Sequence, residues 1–318
     1  MTTTVALLTF AAALVVLAPR AIGGWADRSP RLAVAAWQAV SAGVLVSVVL
    51  AGLALLVPAG AVADGLASIL DACAATIAAV YGSPGQLAAV LAGVLLSGGV
   101  LLRLGWVAVR TRLRDQRERR RLRATILVGA RPEQSLGAVL LESDHAAAFC
   151  LPGRLRTVVV TTAALHALSA DELAAVLAHE RAHLRGRHHL AVGTARILDR
   201  AFPGVPLFSR SRAEIERLVE LLADDAAARQ VNRVEVASAL VTLAGMRAPA
   251  PALAAAQGAG VLRVGRLLRP AAPLGAAQRM VAATAAVLVV AGPVALAAWP
   301  LVSAVSSGLC VLPGADWS

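Results

Sequence analysis

Four apolar runs constrain this chain more than any other feature: residues 3–18, 32–57, 86–109 and 280–302, with Arg103 the single charged residue among them. About 20 consecutive apolar residues cross about 30 Å of hydrocarbon as a helix. In that solvent every backbone N–H and C=O must be satisfied within its own segment, which leaves helices for runs of this kind. The composition agrees. The chain is 58% hydrophobic and 15% charged, with a mean hydropathy of +0.72, where soluble proteins carry about 25% charged residues.

The charges orient the spans. The formal net charge of +11 comes from arginine alone, since the sequence holds no lysine. Arg20, Arg28 and Arg31 fill the gap between the first two runs. Residues 110–123 add Arg110, Arg112, Arg114, Arg117, Arg119, Arg120, Arg121 and Arg123, and Arg263, Arg266, Arg269 and Arg279 precede the last run. Residues 58–84 hold no basic residue. Basic loops stay on the cytoplasmic side, so residues 1–110 are expected to hold three spans with an external loop at 58–85. The middle of that loop, 66–81, has helical spacing. Residues 111–249 then form a cytoplasmic domain, and 250–279 a linker and basic juxtamembrane helix. A fourth span, 280–302, is kinked by Pro293, and 303–318 is an external tail. The first run lacks a positive flank before it and reads as a span rather than a signal peptide. The expected location is a plasma membrane, multi-pass, with both termini external.

With aromatics at 3% and arginines at the ends of apolar runs, the basic charge points to the lipid bilayer and not to direct nucleic-acid binding. Cys73 and Cys310 fall outside the cytoplasm, where disulfides persist, and are candidates for a bridge; Cys150 falls inside.

Residues 124–249 are the one stretch polar enough for a globular domain. Strand-like pieces at 124–128, 138–142, 145–150 and 156–162 lead into helices at 168–189, 211–230 and 234–246. The first of these helices carries His179-Glu180-Arg181-Ala182-His183. Ser169 is its expected N-cap and Glu172 completes a capping box. Leu173, Val176, Leu177 and Leu184 keep helical spacing. His179 and His183 are one turn apart and face a common point about 2 Å from each ring nitrogen, as zinc requires. Glu180, beside them, is placed to act as general base on an attacking water. The expected fold is therefore a mainly α membrane protein, four transmembrane helices with an inserted α+β cytoplasmic domain of zincin-type metalloprotease, holding one Zn2+ per chain.

A catalytic zinc takes three protein ligands. Glu220, on the second helix with Asp224 one turn on, is the favoured third ligand, Asp224 orienting a histidine from behind. His189, in a local Gly186-x-x-His189 extension, is the alternative. His188 is expected in solvent or at lipid headgroups, and His145 and His166 as isolated residues.

Several segments together resemble gluzincin membrane peptidases: S-D-H-A-A-A-F-C-L-P-G at 143–153, R-T-V-V-V-T-T at 156–162, the H-E-R-A-H helix and E-L-L-A-D at 220–224. The group includes HtpX-like and CAAX-prenyl proteases. The run H-E-R-A-H-L-R-G-R-H-H and the R-V-G-R-L-L-R-P before the last span bring the BlaR/MecR type of beta-lactam sensor-transducer closer. The resemblance implies zinc on His179, His183 and Glu220, Glu180 as base, and an extended substrate paired to the strand at His145, Ala146, Ala147, Ala148 and Phe149. It implies a protein substrate, in that branch a transcriptional repressor; a homodimer is compatible with it. The full sensors add a penicillin-binding domain with a Ser-x-x-Lys nucleophile, which a chain without lysine does not carry. Two other functions fit the same residues: an HtpX-like protease of damaged membrane proteins, and a non-catalytic zinc-holding transducer.

Overall fold

The computed structural model describes residues 2–56, 84–153, 156–246 and 253–308. The expected external helix at 66–81, Cys73 and Cys310 lie outside them. The chain divides into two compact units, one formed by residues 1–22, 36–107 and 280–318 and the other by 23–35 and 108–279.

The first unit is helical. Its apolar segments belong to α1 (Thr2–Gly23), α2 (Pro30–Leu56), α3 (Pro84–Gly129) and α10 (Ala276–Gly308). All four are long and apolar enough to cross a membrane. Pro293 and Pro300 both lie inside α10. Small residues allow close approach between α2 and α3: a Cβ on Gly52 would stand 2.9 Å from the Gly93 carbonyl oxygen, and one on Gly93 2.8 Å from that of Gly52. Many large apolar side chains here remain exposed, among them Leu95, Leu102, Trp106 and Val287. Such a surface suits a bilayer or an apolar partner.

The second unit begins where α3 outlasts its apolar half. The helix is continuous to Gly129, so residues 124–128 are helical and not the expected strand. Thr-Ile-Leu-Val has β propensity, but an established helix adds residues cheaply and overrides it. Four strands follow: β1 (Ala130–Glu133), β2 (Ala138–Leu141), β3 (Ala148–Leu151) and β4 (Thr157–Thr161). Their order in the sheet is β1-β2-β4-β3. The β1–β2 turn passes through Gly137 at φ +55°, a left-handed conformation that glycine takes at no steric cost. β2 lies parallel to β4, and β3 antiparallel to it. β3 is therefore an edge strand.

Six helices follow the strands: α4 (Thr162–Ala167), α5 (Ala170–Gly186), α6 (His188–Ala201), α7 (Pro206–Ala227), α8 (Arg233–Met246) and α9 (Leu253–Leu268), with α4 and α5 packed against the sheet. The core joins Val158 and Val160 of β4 to Leu173, Val176 and Leu177 of α5, Ala227 of α7, Val236 and Ala237 of α8 and Leu267 of α9. The expected linker and juxtamembrane segment is thus mostly α9, packed into this core. The loop between α1 and α2 belongs here too. Asp27 pairs with Arg217 at 2.6 Å and its carbonyl accepts from Arg266 at 3.2 Å, while Arg28 donates to the Ala272 carbonyl at 3.1 Å.

Candidate metal centre

Two helices position the centre, and each is held by its own sequence. α5 starts at a closed capping box: Ser169 Oγ accepts from the Glu172 amide at 3.2 Å, and Glu172 Oε2 from the Ser169 amide at 2.9 Å. Glu172 Oε1 also accepts from Ser238 at 2.6 Å and Thr242 at 3.0 Å, tying α5 to α8. With Leu173, Val176, Leu177 and Leu184 buried, the helix cannot rotate, and His179 and His183 are aimed at α7. On α7, Ile215, Leu218, Val219 and Leu221 are buried. Glu220 and Asp224 stand one turn apart on the face toward α5, while Glu216 turns away to Arg196 and Arg212 at 3.2 Å each.

The donors converge. His179 Nε2 and His183 Nε2 are 3.1 Å apart, and Glu220 Oε2 and Oε1 lie 3.6 and 3.4 Å from them respectively. Tetrahedral zinc with bonds of about 2.0–2.1 Å holds neighbouring ligand atoms about 3.3 Å apart, so the spacing fits that ion. Among the described residues these three form the one group of potential ligands close enough to share an ion. His189 is not in it. Burial, then the charges of Arg119, Arg187 and Arg156, hold His189 below the usual imidazole range, which places it in a basic neighbourhood.

The outer ring nitrogens are occupied as well. His179 Nδ1 is 3.0 Å from Asp224 Oδ1. His183 Nδ1 is 3.0 Å from Nδ1 of His188, a residue expected in solvent. If each Nδ1 carries the shared proton, both Nε2 lone pairs and a carboxylate face one another. A cation is what relieves that arrangement. Gly186 makes room for it, because a Cβ there would collide with the His188 ring. The glycine that suggested His189 as a ligand thus serves its neighbour.

Arg263 is the largest departure from the sequence reading, which left it on a membrane-proximal basic flank. Its Nε and Nη2 donate to Asp224 Oδ2 and Oδ1 at 2.8 and 2.7 Å, and its Nη1 is 3.1 Å from Glu220 Oε2. One turn on, Arg266 pairs with both oxygens of Asp225 at 2.9 Å. No local signal marks these pairs; only the docking of α9 creates them.

The electrostatics follow. Burial opposes ionisation of Asp224, but the bonds from Arg263 and His179 override it and bring its pKa to about 2. Burial likewise opposes the charged His179, yet Asp224 and Glu220 raise it to about 9. His183 is brought down to about 4 by burial and by the positive charges of His179, His188 and Arg263, against Glu220. For Glu220 burial is again outweighed, by the bond to His179 and the charge of Arg263, and its pKa falls. Glu180 is raised, by burial first and then by Glu220. A carboxyl held above its ordinary value is suited to taking and returning a proton.

Of the expected substrate strand, Ala148 and Phe149 lie in β3, while His145, Ala146 and Ala147 precede it. Thr161 donates its amide to the Ala147 carbonyl at 3.0 Å, continuing the pairing one residue ahead of β3, and its hydroxyl to the carbonyl of His145, where the chain bends, at 2.9 Å. Alternation from the Thr161–Ala147 bond turns the amides and carbonyls of Phe149 and Leu151 to β4 and those of Ala148 and Cys150 to the open edge. The Cys150 thiol and amide lie against Glu180, and burial followed by the Glu180 charge pushes the thiol up to about 12. The edge therefore runs past the carboxylate.

Residues 112–202 match Peptidase family M48. The match covers less than a third of the chain, from the end of α3 through α6, and includes His179, Glu180 and His183 but not Glu220, Asp224 or Arg263. No curated protein and no solved structure matches.

Proposed function

We propose that this chain is a membrane-anchored zinc endopeptidase whose reacting centre is built from His179, His183, Glu220 and Glu180. The convergence of two imidazoles and a carboxylate at the spacing of a tetrahedral ion, with a raised carboxyl beside them, carries the reading. A divalent zinc bound there supplies Lewis acidity. The chain's own residues do the rest. Asp224 and His188 hold the two imidazoles in the tautomer that presents Nε2. Arg263 fixes Glu220 and Asp224. Glu180 takes the proton of the attacking water and returns it to the departing amine. The β3 edge holds the peptide extended through the Ala148 and Cys150 main chain.

The cytoplasmic face is the proposed side, from the arginine distribution and from the joining of residues 23–35 to the polar unit. The substrate is then a cytoplasmic or membrane-proximal protein. A transcriptional repressor as substrate rests on the motif resemblance alone.

Replacing Glu180 with Gln tests the enzyme reading. The variant keeps its zinc and loses about 10²–10⁴-fold in cleavage rate, measured on fluorogenic peptides with full-length protein in detergent. Undiminished cleavage sinks the assignment. Broad degradation of unfolded membrane proteins in cells supports quality control, and a phenotype unchanged by E180Q supports a zinc-holding transducer.

A further inference from the structure

Two groups of arginines stand apart in the polar unit. Arg196, Arg212, Arg217, Arg263 and Arg266 each face a carboxylate. Arg119, Arg123, Arg156 and Arg187 form no ion pair among the described residues, yet they gather at one place. Arg123 donates to the Pro152 carbonyl at 2.6 Å and lies over Gly153, immediately past the end of β3. Arg156 begins β4 beside that end and donates to the Leu184 carbonyl at 2.9 Å. The same Leu184 carbonyl accepts from the Arg187 amide at 3.3 Å, which puts Arg156 and Arg187 side by side, and Arg119 lies with both near His189. Two of the four are also strained, Arg156 and Arg187 having positive φ, at 40° and 50°.

Part of this has a local explanation. Basic side chains suit the C-terminus of α5, where carbonyls are unpaired, and Arg156 serves one of them. Arg119 and Arg123 come from α3 and serve no helix end. A lipid headgroup is the other claimant. Arg119 lies nine residues past Arg110, where the apolar run stops, and at 1.5 Å per residue that is about 14 Å further along the helix. The patch instead continues the outer edge of β3, where the Ala148 main chain turns outward and suits a peptide.

Its place along that edge sets what it would meet. Cys150 marks the reacting centre by its contact with Glu180. Gly153 is three residues on, just beyond the end of β3 at Leu151, and so within about 10 Å of it. A peptide pairing antiparallel with β3 has its N-terminal side toward Gly153. We propose that Arg119, Arg123, Arg156 and Arg187 form a specificity subsite for acidic side chains two to four residues before the scissile bond. The proposal rests on the peptidase reading above. Guanidinium forks suit carboxylates, which they bind by paired hydrogen bonds.

The test uses zinc-loaded full-length protein in a neutral detergent and a library of quenched decapeptides. One position at a time carries Asp, Asn or Arg. Asp over Asn at the second to fourth positions before the cut should raise kcat/KM about tenfold, the worth of one charge-assisted hydrogen bond. In Arg119→Gln/Arg123→Gln the ratio should fall to about one. In Arg119→Glu/Arg123→Glu the preference should pass to Arg, a gain that mere loss of folding does not produce; zinc content reports folding independently. Cleavage without an Asp preference, a preference on the C-terminal side of the cut, or one that survives both variants overturns the subsite and leaves the peptidase standing. A loss of binding to phosphatidylglycerol vesicles with the Asp preference intact assigns the patch to lipid and also overturns it. Absence of all cleavage removes both readings.

Discussion

Asp224 is the residue whose replacement says most about how the centre is held. Its side chain is 1% exposed, and three charge-assisted contacts meet on it: His179 Nδ1 at 3.0 Å and Arg263 at 2.7 and 2.8 Å. Asp224→Asn keeps the shape and removes the charge, so one amide donor faces the guanidinium and Arg263 is left buried beside a neutral group. Breaking a buried pair in this way costs about 3–5 kcal/mol. Loss of the carboxylate behind His179 should separately weaken zinc about 10–100-fold. Chelator competition measures the second effect; denaturant unfolding of the metal-free protein measures the first. The two separate in Asp224→Asn/Arg263→Met, which should regain stability without regaining affinity. The pH dependence has a definite sign. A carboxylate whose pKa falls from 3.8 to about 2 on folding stabilises fully above the unfolded value and loses that contribution as pH falls through the folded one. Wild type and variant should therefore converge between about pH 4 and 2. A variant that binds zinc as tightly as wild type and unfolds at the same denaturant concentration would refute the idea that Asp224 orients anything.

Metal content after gel filtration decides between third ligands: Glu220→Gln should lose most of its zinc and His189→Asn should keep it, and the reverse would restore the local histidine. Gly186→Ala should push the His188 ring off His183 and lower zinc affinity about tenfold; an unchanged chelator titration contradicts that role for His188. Glu172, lowered chiefly by its bond to Ser238 and then to Ser169, stabilises above its unfolded pKa and loses this as pH falls through the depressed folded value. Glu172→Gln should cost about 1 kcal/mol at neutral pH and flatten the acid limb of the stability profile, so an acid limb as steep as wild type would show the capping box to be idle.

Much of the architecture was legible because it is local. An apolar run of about 20 residues identifies a span whatever it touches. Ser169 and Glu172 announce a helix start within four residues, and the spacing of His179 and His183 follows from 3.6 residues per turn. The same local reasoning failed at residues 124–128, where β propensity lost to the momentum of a helix already formed, and at His145, where the chain bends before β3 begins.

The sequence by itself determined the four helices long and apolar enough to cross a membrane, the arginine asymmetry and the pair of histidines one turn apart, since each depends on neighbours in the chain. The tertiary structure decided who stands behind them. Glu220 approaches His183 because α7 packs on α5. His188 reaches His183 because a left-handed Arg187 and a bare Gly186 fold it back. Cys150 touches Glu180 because β3 takes the sheet edge, and Arg263 grips Asp224 across 39 residues because α9 docks in the core. Contacts between segments distant in sequence leave no periodicity to read. They exist only once packing has chosen which faces meet.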